Sequence, residues 1–421
     1  MLNQKVRKVR GKTQSQSRFT EGAEKVINSL AHWNWGSIFV KVNWLVIAYW
    51  VFSIGVAKAV YVFLSWLNET LLQVDLAVVI IIFFFIGVTM FLLPPVPGIP
   101  VYITSGIVLA ARCSVLDVGF WGGVGIAIAL SFVLKITACA GQYLIGYFLG
   151  KSVKVQQLVA VDKVFTKAIE KILKTRGLNL PKVSVLVGGP DWPTSVLCGI
   201  LRLNLGQILL GTCPVIIVST PCVLAGAFLA GPNAGKPKED TDEGDGIWST
   251  MSSSALAVSA LVQLASAVIA MYYIQDVVYK HSDELSVPRK EHEPVTALTQ
   301  KEAEWVQAYQ EVLEWQHLTK FQRILILFTT GMFLLSMAMF MFMDEACFRP
   351  FQMNSRIGDP YGQGGLEGNA ISIVHPFGWF AQALWTIASV MHWIFLKSTK
   401  RAARIHFAEK KQRAGTPDSR L

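Results

Sequence analysis

The feature that most constrains this chain is a series of long apolar runs almost free of charge. Leu76–Leu93 reads LAVVIIIFFFIGVTMFLL, with no charged residue and no proline. About 20 apolar residues cross a bilayer as a helix. By that measure Trp44–Trp66, Leu76–Leu93, Gln207–Ala230, Ile247–Ile274, Phe321–Met343 and Ala370–Leu396 are expected spans. Asp117–Gly150 is long enough for one span and an extension. Only 16% of the 421 residues are charged, against about 25% in a soluble domain. The expected fold class is therefore an all-α polytopic membrane protein.

Two apolar pieces are too short and too broken to be ordinary spans. One is 94–112, which opens on PPVPGIP; the other is 183–205, which contains GGPDWP. Proline inside a helix removes a donor and its ring clashes with the preceding turn. Non-helical backbone at membrane depth survives only where protein buries it or where it lines a wet cavity. Both pieces are thus expected to re-enter the membrane and form the working core. They resemble each other, since Pro97, Pro100 and Gly106 recur at the same spacing as Pro190, Pro193 and Gly199. Interrupted segments in corresponding places of two halves are a sequence pointer to a transport site.

The remaining organisation follows from composition. Residues 1–37 read as a basic cytosolic tail, 38–230 as the membrane core, and 231–246 as an acidic, glycine-rich loop. Residues 247–396 hold further transmembrane helices around a polar insert at 279–320, and 397–421 is a second basic tail. The insert carries Trp305, Tyr309, Leu313 and Trp315 at helical spacing, which suits either packing onto the rest of the protein or a partner-binding module. Lys151–Lys182 has apolar residues at helical spacing and basic ones elsewhere, the pattern of a membrane-surface helix or of a cytosolic connecting helix.

The net charge of +10 sits mostly in Lys5–Arg18, Lys151–Lys182 and Lys397–Arg413, which flank apolar segments. Such flanks mark cytosolic faces and contacts with anionic lipid, so both termini are expected in the cytosol. Nucleic acid is not expected as a partner, because these runs carry no binding motif. One conflict stands: if 94–112 dips in and returns, the basic stretch 151–182 falls on the wrong side. Either this segment crosses or an earlier one does not. The sequon Asn68-Glu69-Thr70 lies in a loop of only a few residues, which leaves little room for a glycan. The six cysteines show no CxxC spacing, and five lie in apolar stretches where they act as small hydrophobes.

Within Gly119–Gly150 the glycines let helices approach closely, and Gly141, Gly146 and Gly150 are expected packing positions, as are Gly206 and Gly211 further on. The succession LPPVPGIPVYITSGIVL, then GQYLIGYFLGK, then PDWP, Gly199, RLNLG and LGTCP resembles the DedA/VTT superfamily, also called the SNARE-associated Golgi protein family. The resemblance covers about 70 to 230 and is strongest to the eukaryotic members. It implies an inverted-repeat core with two re-entrant hairpins meeting tip to tip, joined by extra transmembrane helices. It also implies lipid movement between leaflets of an internal membrane, the Golgi or endoplasmic reticulum. Bacterial members look like proton-coupled carriers of polyprenyl phosphate. They place acidic residues where this chain has Ile99, just after Gly98, and Gln142, and an arginine where it has Gly188-Gly189. Without those groups passive scrambling is expected over proton coupling.

Two ionisable residues inside apolar stretches are candidates for a polar path, Lys135 and Asp191. They are placed to pair with each other, or Lys135 meets a lipid phosphate, or it snorkels to satisfy broken backbone. Arg202 and Asn204 stand where the second broken segment turns into its helix, suitable for a headgroup phosphate or for capping. Tyr102, Thr104, Ser105 and Thr212 offer hydroxyls to a path or bond back to helix carbonyls. No HExxH, P-loop or nucleophile elbow is present, so neither an enzyme, a cofactor nor a metal is expected. The leading expectation is an ATP-independent lipid scramblase or lipid transporter. The alternatives are an ion- or proton-coupled solute or polyprenyl-phosphate carrier, and a trafficking scaffold with partners, or a second copy, engaged through 279–320.

Overall fold

A computed structural model describes residues 21–71, 74–94, 96–231, 245–351, 355–361 and 364–413. The basic N-terminal tail to residue 20 and the acidic loop from 232 to 244 lie outside the described residues. Among those described the chain is helical, and its β-type pairing is the isolated bridge Phe348–Val374. The principal helices are α1 (Glu21–Ala31), α2 (Trp35–Leu71), α3 (Leu76–Leu92), α4 (Gly98–Cys113), α5 (Gly119–Leu149), α6 (Val164–Lys174), α7 (Leu180–Gly188) and α8 (Asp191–Ile200). They are followed by α9 (Leu205–Ala230), α10 (Asp245–Lys280), α11 (Glu293–Val312), α12 (Lys320–Phe342) and α13 (Pro376–Arg413). Six of them, α2, α5, α9, α10, α12 and α13, are long and apolar enough to cross a membrane. The protein is a multi-pass integral membrane protein.

Helix α3 is not among the six. Asp75 starts it by accepting from the Ala77 amide at 2.9 Å, and it stops at Leu92 before the prolines. Its 17 residues reach about 25 Å, short of the roughly 30 Å hydrocarbon core. The interruption expected inside 94–112 lies ahead of α4, which runs unbroken. Pro97 is its N-cap and Pro100 its third residue, in the first turn, where the amide has no helical acceptor to lose. Pro190 and Pro193 hold the same two places in α8. The second interruption therefore separates α7 from α8 at Gly189-Pro190.

The chain divides into two compact units. The larger comprises Ala48–Ala303 and Ala338–Ala381. One of its cores joins Val79 and Phe83 of α3, Leu109 of α4, Leu134 of α5 and Val223 of α9. A second joins Cys139 and Tyr143 of α5, Leu173 of α6, Val185 of α7, Cys198 of α8 and Ile274 of α10. Helix α6 thus buries Ala168, Ile172 and Leu173 in protein, and it exposes Phe165. In the same unit Asn68 is buried within α2, and its neighbour Glu69 accepts from the Ile357 amide at 3.2 Å.

The smaller unit comprises Met1–Ile47, Glu304–Met337 and Gln382–Leu421. Val40, Leu313, Leu318, Ile326 and Phe395 form its core, with Tyr309 and Trp315 packed against it. The aromatic face of the polar insert is therefore occupied by its own unit. Asn43, fully buried, meets His392 with Nδ2 and Nδ1 3.2 Å apart.

Candidate functional site

Two close helix crossings frame the interrupted segments in the larger unit. At the first, α4 lies on α9. A Cβ added to Gly106 would stand 2.1 Å from the Val223 oxygen and 2.8 Å from the Ala227 nitrogen. A Cβ on Gly226 would stand 1.9 Å from the Ile103 oxygen. At the second, α8 lies on α5. A Cβ on Gly199 would stand 2.0 Å from the Tyr143 oxygen and 2.7 Å from the Tyr147 nitrogen, and one on Gly146 would stand 2.0 Å from the Val196 oxygen. No side chain fits at any of the four, so glycine alone permits backbone-to-backbone contact there. The registers match: each of Gly106 and Gly199 meets two residues four apart, and each facing glycine reaches back to the residue three before it.

The first interruption is closed by side chains from other helices. A helix end leaves carbonyls without a helical donor. The Leu93 amide serves Met90 at 3.1 Å and the Val96 amide serves Leu93 at 3.2 Å. The two between them depend on tertiary partners. Gln142 of α5 donates through Nε2 to the Phe91 oxygen at 2.7 Å. Trp192, in the first turn of α8, donates its indole N–H to the Leu92 oxygen at 3.1 Å. The second interrupted pair therefore touches the first at its break. Lys135 is two turns before Gln142 on α5, is 2% exposed, and holds its ammonium 5.4 Å from the Phe91 ring centre.

The other expected residues separate from this point. Asp191 is the first residue of α8, and its side chain lies outside the described set. Arg202 adopts a left-handed backbone (φ 51°) at the end of α8 and lies 5.6 Å over the Tyr147 ring. The Leu203 amide reaches back to Cys198 and the Arg202 amide to Gly199, the pairing that closes a helix C-terminus. Asn204 is the N-cap of α9 and accepts from the Gln207 amide at 3.1 Å, so it caps amides and not carbonyls. Gly98 opens α4 half-buried. A Cβ on Gly141 would meet Leu92, one on Gly150 the Ile200 backbone and one on Gly211 the Leu186 side chain, whereas Gly206 is exposed and faces only its own cap.

Three of the hydroxyls bond to a carbonyl of their own helix, and Ser105 also meets the Ser131 hydroxyl of α5 at 2.8 Å. Thr104 donates to the Pro100 oxygen, Ser105 to Tyr102 and Thr212 to Ile208, and all three are buried. Among the described residues no group of three histidine, cysteine or acidic side chains comes together to hold a metal. Gly226, Phe91 and Trp192 complete the site without having stood out in the sequence. A single glycine within VLAGAF is an ordinary membrane-helix residue, whereas Trp192 in GGPDWP had the break beside it as a signal.

Protein-family models, curated proteins and solved structures give no match to this chain. Fold and site define its class as an all-α multi-pass membrane protein, with two glycine-mediated crossings beside two interrupted helix pairs.

Proposed function

We propose that this protein is a passive lipid scramblase of an internal membrane and a divergent member of the DedA/VTT superfamily. The observation that carries the reading is the pair of crossings of equal register, Gly106 with Gly226 and Gly199 with Gly146. Together with prolines in equal positions of α4 and α8, they support an inverted repeat. In it α3–α4 and α7–α8 form the two re-entrant hairpins, and the Trp192 contact supports a tip-to-tip meeting. Headgroups would pass between the hairpins while acyl chains stay in the bilayer. Since Lys135, Gln142 and the hydroxyls are buried, passage requires the two breaks to part.

Several features favour passive movement over a cation-coupled carrier. Broken helices of carriers commonly offer unwound carbonyls to a cation. Here the Met90, Phe91 and Leu92 oxygens are engaged by neutral amide or indole donors while the two breaks stay together. Gln142 is neutral at every physiological pH. The aromatic face of 279–320 is packed inward, which weighs against a scaffold that recruits through it. The test is purified protein in liposomes holding acyl-labelled phospholipid, without ATP. Label in the inner leaflet should become accessible to an external quencher. Rates equal to protein-free liposomes, with folded protein verified, would refute the proposal.

A further inference from the structure

We infer that the break after α3 is a headgroup site that selects phospholipids bearing a primary ammonium. The inference rests on the lipid-moving reading and names its substrate class. The Phe91 carbonyl oxygen can only accept, so it fixes the orientation of the Gln142 amide, with Nε2 toward Phe91 at 2.7 Å. Gln142 Oε1 then points elsewhere. It is buried, the residue is 1% exposed, and it has no hydrogen-bond partner among the described residues. A buried acceptor without a donor is costly. What this place lacks is an N–H or O–H.

Two more acceptors adjoin it. The Phe91 and Leu92 oxygens are held by side-chain donors, Gln142 Nε2 and the Trp192 indole. Both donors belong to other helices and can be exchanged without unwinding either one. One turn of helix per 3.6 residues puts Lys135 on the same face of α5 as Gln142. Its ammonium, beside the Phe91 ring, supplies the positive charge suited to a phosphate. A headgroup with a phosphate at one end and a primary ammonium at the other matches both. Its three N–H groups meet the open Gln142 oxygen and can stand in for the indole on Leu92 as the breaks part. Choline carries the same charge and no donor.

Stepwise N-methylation tests this without altering charge. Acyl-labelled phosphatidylethanolamine, its monomethyl and dimethyl forms and phosphatidylcholine would be compared in liposomes containing the full-length protein. Scrambling rates should fall with each methyl, by about fivefold across the series, the effect of one net hydrogen bond. In Gln142→Met the dependence on methylation should weaken. Equal rates for all four lipids in the wild type, all faster than in protein-free liposomes, would overturn the inference while leaving lipid movement intact. An undiminished methylation dependence in Gln142→Met would overturn the role of Gln142. No acceleration for any lipid would instead overturn the reading on which the inference rests.

Discussion

The indole N–H of Trp192 donates to the Leu92 carbonyl oxygen at 3.1 Å and so fastens the first turn of α8 to the last turn of α3. Phenylalanine at 192 keeps a ring and removes the donor, leaving the carbonyl unmet. Trp192→Phe should destabilise the folded protein by about 1–3 kcal/mol and lower its unfolding temperature in detergent. Spin labels placed at Leu93 and Pro193, both exposed, should report a broader distance distribution in this variant than with Trp192 present. Unchanged stability and an unchanged distribution would dismiss the contact as incidental.

The glycine crossings make a sharper demand. Gly146→Ala and Gly199→Ala each drive a methyl to 2.0 Å from a backbone oxygen, and α5 and α8 must separate to admit it. Overpacking of this kind costs about 1–3 kcal/mol, occasionally more. Gly206→Ala is the control, because its Cβ would meet nothing nearer than Asn204 Oδ1 at 3.4 Å. There the better helix propensity of alanine should leave stability level or slightly raised. Thermal unfolding of the three variants side by side decides the matter.

In the smaller unit Asn43 and His392 form a polar contact among apolar side chains, with the ring of Trp44 5.7 Å and that of Phe333 6.2 Å from the imidazole. Removing one partner strands the other, whereas removing both can be nearly neutral. Asn43→Leu and His392→Phe should each cost about 1–3 kcal/mol, and the double variant should cost less than their sum. Additive losses in a double-mutant cycle would show that the two side chains do not interact.

Glu170 makes the acid side of the stability profile predictable. Burial pushes its carboxyl up, but hydrogen bonds from Lys174 at 2.6 Å and Arg289 at 2.7 Å outweigh it and hold the group below the ordinary value of 4.5. A carboxyl lowered in the folded state contributes stability above its unfolded value and loses it as pH falls through the folded one. Stability should therefore decline on acidification below about pH 4.5, and Glu170→Gln should flatten that decline while lowering stability at neutral pH. Unfolding temperatures across pH 3–7 for both proteins would check it, in a detergent that does not itself titrate.

Asn68 heads a sequon yet is 8% exposed within α2, and a glycosyltransferase needs an extended, accessible acceptor. Glycosidase treatment of protein expressed in eukaryotic cells should leave its electrophoretic mobility unchanged, and Asn68→Gln should migrate as the wild type does.

The six spanning helices are legible in the sequence because long apolar runs encode them directly. The prolines also announced the breaks, though not their exact place: Pro97 and Pro190 cap helices instead of interrupting them. The tertiary partners were hidden for a physical reason. Which carbonyls of α3 are left open depends on where the helix stops, and which side chain reaches them depends on packing between segments far apart in sequence. In the sequence Gln142 is distinctive only as a neutral residue where bacterial members of the family it resembles carry an acid, and its bond to Phe91 has no local signature. Asn43 and His392 lie near opposite ends of the chain, so nothing in either neighbourhood pointed to the other.

The most direct test of the central claim is the rate at which purified protein moves acyl-labelled phosphatidylethanolamine across liposome membranes in the absence of ATP and of any ion gradient. Leaflet asymmetry should be lost at a rate that rises with protein density and exceeds that given by an unrelated helical membrane protein at equal density. A rate indistinguishable from that control, with the protein folded and inserted, would contradict that claim.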